Sequence, residues 1–97
     1  MGIEVTVKTL PVTVAIEPSY SDGQAVWVRS GDQVWWKWYS SRLDACVEAA
    51  QLGLANRQEF PSNERYSQNV KYSAKDDAMA DPDELVRFGF GPPPQRA

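Results

Sequence analysis

The chain has 97 residues, of which 42% are hydrophobic and 24% charged, and its net charge is −3 at neutral pH. That is ordinary globular composition and enough chain for one domain with a single modest core. There is no histidine and only one cysteine, Cys46, so Ser-His-Asp and Cys-His catalysis, histidine-ligated zinc and an internal disulfide are all excluded.

No apolar run approaches the roughly 18–20 residues of a membrane span. The stretch from Met1 to Val5 has no basic region leading into an apolar one, so no secretory signal is expected. With the lone cysteine, this points to the cytoplasm. The acidic balance argues against a non-specific nucleic-acid binder, which needs a basic face.

Ile3 to Lys8 alternates apolar and polar residues, the pattern of a half-buried strand with Ile3, Val5 and Val7 inward. Pro11 lacks a ladder donor and marks an edge, a bend or a strand start. Val12 to Glu17 alternates again, with Val12, Val14 and Ile16 inward. Pro18 to Gly23 is turn chemistry.

All four tryptophans then fall between Trp27 and Trp38. Ala25 to Arg29 and Gln33 to Tyr39 flank Ser30-Gly31-Asp32, so they form a hairpin. Neighbours on a strand point to opposite faces. Val34, Trp36 and Trp38 therefore share one face, and Trp35, Lys37 and Tyr39 the other. The first set is assigned to the core. The second set, with Trp27 and Arg29, is assigned to an exposed surface.

Ser41 caps a helix, with Asp44 in its first turn. Leu43, Cys46, Val47, Ala50 and Leu54 follow helical spacing and form its apolar stripe, while Arg42, Asp44, Glu48 and Gln51 face away. Gly53 weakens the helix end and Asn56 caps it. Cys46 reads as a core thiol.

After Phe60-Pro61 the pattern loosens. Tyr66 to Tyr72 reads as a short strand with Tyr66, Gln68, Val70 and Tyr72 on one face. Asp76, Asp77, Asp81, Asp83 and Glu84 form an acidic stretch, read as a solvated loop and helix start or as a contact for a basic partner. Asp81 to Phe88 reads as a short helix with Asp81 as cap, Pro82 at its first position and Gly89 as terminator. Residues 91–97 are a flexible Gly/Pro tail, leaving 1–90 as the domain. The expected fold is α+β: an antiparallel sheet of three to five strands with one main helix on one face, in the order β-β-β-β-α, followed by a loose segment with a short strand and a short helix.

Val14 to Pro18, Asp22-Gly23 and Ser40 to Ala50 resemble HicB-type antitoxins: strands, an acidic-Gly turn, another strand, and a Ser/Thr-capped helix rich in Ala and Glu. The resemblance covers about a third of the chain. The family's Pro-Gly-Cys segment between hairpin and helix is missing, and tryptophans stand in its place. The strand-strand-helix order is also similar to the arm-binding domains of phage integrases, which are basic where this chain is acidic. The first likeness implies an antitoxin binding a small basic toxin.

The residues alone favour a protein-binding module without enzymatic activity, cofactor or metal. Trp, Tyr and Arg dominate interface hot spots, so the expected contact residues are Trp27, Arg29, Trp35, Lys37 and Tyr39, joined by the acidic set of Asp76, Asp77, Asp81, Asp83 and Glu84. The partner is expected to be a protein or a second copy of the chain. An example would be a small phage or mobile-element inhibitor of a bacterial defence complex, in the manner of an anti-CRISPR. The alternative is a single-strand nucleic-acid binder that stacks bases on Trp27, Trp35 and Tyr39 and meets phosphates with Arg29, Lys37 and Arg42.

Overall fold

The computed structural model describes residues 8–20, 22–61 and 69–94. Expectations for Ile3 to Val7 and for Tyr66 to Gln68 lie outside the described residues. The alternating run after Thr9 extends as β1 (Leu10–Pro18), followed by β2 (Gln24–Ser30) and β3 (Gln33–Tyr39). β2 and β3 are joined by the two residues Gly31 and Asp32. Gly31 has φ +58°, which a two-residue hairpin loop requires at its first position and glycine adopts at no steric cost.

Helix α1 (Arg42–Gln51) begins where the Ser41 side chain accepts a hydrogen bond from the Asp44 N–H (3.1 Å). It ends in a Schellman motif. The Gly53 N–H donates to the Ala50 carbonyl and the Leu54 N–H to the Ala49 carbonyl, with Gly53 at φ +77°. Gly53 is therefore the terminator, and Asn56, expected as the cap, lies in the following strand. Helix α2 (Pro82–Arg87) repeats the design. Asp81 caps it, Pro82 opens it, and Gly89 (φ +92°) and Phe90 donate to the Val86 and Leu85 carbonyls.

Two strands escape the sequence pattern. β4 (Ala55–Phe60) holds Asn56, Arg57, Gln58 and Glu59, all exposed, so no alternation reveals it. It pairs with β5 (Asn69–Ala74), which covers the end of the expected strand and runs two residues further. β6 (Ala78–Ala80) lies inside the stretch read as an acidic loop and turns Ala78 and Ala80 into the core.

The architecture is α+β. A four-stranded antiparallel sheet in the order β3-β2-β1-β6 carries the helices, and β4-β5 forms a separate two-stranded ribbon. Pro11 sits where β1 pairs with β6 alone, so its missing donor costs no bond to β2. No helix among the described residues is long and apolar enough to cross a membrane.

One cluster forms the core. Val12, Val14, Val26 and Val28 come from the sheet, Ala45, Ala49, Leu52 and Leu54 from α1 and its end, and Leu85 and Phe90 from the α2 region. Leu85 and Phe90 are the two ends of the α2 Schellman motif, and both are buried. Cys46 is buried as expected. Leu43 is not: it is 63% exposed, because α1 turns Ala45, Cys46 and Ala49 inward and rotates Leu43 off that side. Leu54→Ala should therefore cost about 3 kcal/mol, the scale of a cavity in a closed core, and Leu43→Ala less than about 0.5 kcal/mol. Urea denaturation of the two variants measures the difference.

Candidate binding face

The hairpin register decides which aromatics face out. Arg29 lies opposite Val34, Val28 opposite Trp35, Trp27 opposite Trp36, Val26 opposite Lys37 and Ala25 opposite Trp38. Directly opposed residues on neighbouring strands share a face. Val26 and Val28 are wholly buried against the helices, so Trp35 and Lys37 point to the helix side with them. Tyr39, two residues further on, is buried on that same side. This reverses the expected assignment. Val34, Trp36 and Trp38 are not the core set, and Trp35, Lys37 and Tyr39 are not the surface set. The expected surface group is split, because Trp27 and Arg29 lie on the face away from the helices.

Lys37 is engaged inside the fold. Its ammonium donates to Glu48 Oε1 of α1 (2.6 Å) and to the Phe88 carbonyl at the end of α2 (2.7 Å), and it lies 4.9 Å from the centre of the Tyr39 ring. Glu48, expected to face solvent, is drawn into this half-buried pair. The Phe88 carbonyl is one of the acceptors that a helix C-terminus leaves open, and a cation is favourable there. Burial, and then the Glu48 charge, hold the Tyr39 phenol above its ordinary value of 10.0. Its Oη is buried without a hydrogen-bond partner among the described residues.

The other face of the sheet has neither helix on it. It carries three rows across β1, β2 and β3: Thr13-Arg29-Val34, Ala15-Trp27-Trp36 and Glu17-Ala25-Trp38. The Trp27 and Trp36 rings meet edge to face, 6.3 Å between centroids at 67°, an arrangement aromatic pairs favour. Trp38, 39% exposed, folds over the connection between β1 and β2. Its Nε1–H donates to the Tyr20 carbonyl (3.2 Å), and its ring lies so close to Gly23 that a Cβ there would collide with it. Beside these rings the short side chains of Thr13 and Ala15 leave a hollow of about 360 Å³, bounded by Trp27, Val34, Arg29 and Glu17.

The acidic residues are scattered by the fold. Asp76 and Asp77 make the β5–β6 turn, with Asp77 at φ +55°. Asp81 is the α2 cap, and Asp83 and Glu84 lie in its first turn. Sequence reasoning turned Thr13, Ala15 and Glu17 outward, as the structure does, but did not join them to the site, and it missed Val34, Trp36 and Trp38 as residues of this face. The signal that finds them is the two-residue loop, which fixes the register, combined with the wholly aliphatic pair Val26 and Val28.

Gly91, expected to begin a free tail, instead pairs with Trp36 by two backbone hydrogen bonds (2.7 and 3.0 Å) and covers part of the β3 edge. No protein-family model matches the chain, and no curated protein or solved structure shows significant similarity to it.

Two measurements check the helix side. Lys37→Met should cost about 1–2 kcal/mol in urea denaturation, between the values for exposed and fully buried pairs. A raised Tyr39 pKa gives stability that is fully present below pH 10 and lost as pH climbs above it, because the unfolded chain releases the proton first. Tyr39→Phe should remove that part of the alkaline fall. It should change stability at pH 7 by less than about 1 kcal/mol, since the hydroxyl has no partner to lose.

Proposed function

We propose that this protein is a non-enzymatic binding module whose open sheet face, centred on Trp27 and Trp36, is a protein–protein interface. One observation carries the reading: a contiguous aromatic surface with one acid, Glu17, and one base, Arg29, stands on the side of the sheet that no described helix covers. Contiguous apolar patches of this kind mark contact surfaces, and Trp and Arg are the residues that anchor them.

The same layout weakens the nucleic-acid alternative. A stacking platform needs cations along a backbone track. Of the three bases expected to serve it, Lys37 is bound to Glu48 and Phe88, and Arg42 opens α1 on the helix side. Arg29 alone shares a face with the aromatics. The small acidic domain suits an inhibitor or adaptor, such as a phage or mobile-element protein acting on a bacterial defence complex. Its buried single thiol suits a reducing compartment such as the cytoplasm.

Capture on the immobilised protein tests the reading, using source-cell lysate supplemented with an untagged copy of the chain. A protein should be retained in stoichiometric amount. Its retention should fall about tenfold or more in Trp36→Ala and stay unchanged in Leu43→Ala. Loss in Leu43→Ala alone would move the interface to α1. Salt-sensitive binding of an oligothymidylate, abolished by Trp27→Ala, would replace the reading with the nucleic-acid one.

A further inference from the structure

We propose that the occupant of the open face is a second copy of this chain, docked about a two-fold axis that crosses the strands at the Ala15-Trp27-Trp36 row. The inference rests on the face being a protein interface and names its partner.

The face is complementary to itself in one orientation. A half turn about that axis keeps each strand over its own counterpart and exchanges the two outer rows. Arg29 then lands on Ala25 of the second copy, whose cross-strand neighbour is Glu17. Val34 lands on Trp38. A long side chain meets a short one at each place, and Arg29 and Glu17, the base and the acid of the three described rows, meet twice, once on each side of the axis. Arg29 and Glu17 suit this exchange because they stand at opposite ends of the face. Arg29 is opposite Thr13, four residues from Glu17 along β1, or about 13 Å at the rise of a strand. Both are exposed, and neither is engaged in an ion pair among the described residues.

The central row fits as well. Trp27 faces Trp27 across the axis, and the hollow over Thr13 and Ala15 offers each ring space beside its mate. Two sheets pack face to face about 10 Å apart, a gap that large side chains fill from both sides. The axis turned by a right angle, running along β2, would set Arg29 against its own copy, so charge selects the crossing orientation. Asp83 and Glu84 belong to α2, on the helix side of the sheet, and stay out of the contact, while Lys75, Asp76 and Asp77 of the β5–β6 turn border its rim beside Thr13 and Arg29. An isologous contact of this kind closes on itself and gives a dimer rather than a chain.

Light scattering across a concentration series, with iodide quenching of tryptophan on the same samples, tests the proposal. The wild-type chain should be a dimer with shielded tryptophan. R29E and E17R should each raise the dimer dissociation constant about tenfold or more, because each sets like charges together twice. An equimolar mixture of the two variants should recover the dimer, since both junctions of the mixed pair again join opposite charges. A mixture that stays monomeric, or a wild-type dimer that ignores both substitutions, overturns the arrangement. A wild-type monomer with quenchable tryptophan overturns the second copy and leaves the face as an interface for another protein. A monomer with shielded tryptophan overturns both readings.

Discussion

The Lys37 ammonium joins three parts of this fold that are distant in the chain. It stands on β3 and donates to the Glu48 carboxylate of α1 and to the last exposed carbonyl of α2, while its charge lies beside the Tyr39 ring. A cation removed from water needs several such partners to offset its lost hydration, and only the helix side of the sheet supplies them. Once Lys37 is committed there, strand alternation sends Trp35 and Tyr39 to the same side. Trp36 and Trp38 are sent to the other. The position of one charged side chain thereby settles which aromatics the protein shows to its surroundings.

Both helices follow the same logic. Each is short, and neither would persist in isolation. Each is held by a capping side chain at its start and by a glycine-closed turn at its end that delivers a large apolar residue, Leu54 or Phe90, into the common core. Because these anchors converge on Val12, Val14, Val26 and Val28, both described helices lie on one face. No further helix among the described residues covers the second face, and Trp27 and Trp36 there stay half-buried, with Trp38 exposed, by architecture rather than by weak packing.

Much of this was legible in the residues. The caps Ser41 and Asp81, Pro82, the Gly89 terminator and the Gly31 turn are chemical signals that act within a few residues, and each acts where its chemistry predicts. β4 was invisible because none of Asn56, Arg57, Gln58 and Glu59 is buried: that strand is held by its pairing with β5, a non-local cause. β6 was hidden because two alanines carry its buried face and acids flank it. The inverted hairpin has a different origin. Val34, Trp36 and Trp38 make the more hydrophobic set, so hydrophobicity alone puts them inside. Register outweighs hydrophobicity, since the Gly31-Asp32 loop pairs Val26 and Val28 with Lys37 and Trp35. A lysine with two good acceptors is more easily housed than two valines are exposed.

The distribution of charge carries the last step. Of the acids in the 76–84 stretch, Asp81 is an N-cap, Asp83 and Glu84 favour the positive end of α2, and Asp76 and Asp77 make a turn. These roles explain a local run of negative charge without a basic ligand. The same economy applies to the bases near the tryptophans, because Lys37 is needed to join the helices to β3. What remains in the three described rows of the open face is one arginine and one glutamate at its two ends, with indole rings between them. In the proposed reading, such a surface offers few cations to a polyanion and much apolar area to a protein. On the proposed interface its two unlike charges, set apart along the strands, would distinguish one end of a contact from the other, and so give direction to a surface whose affinity would come from its rings.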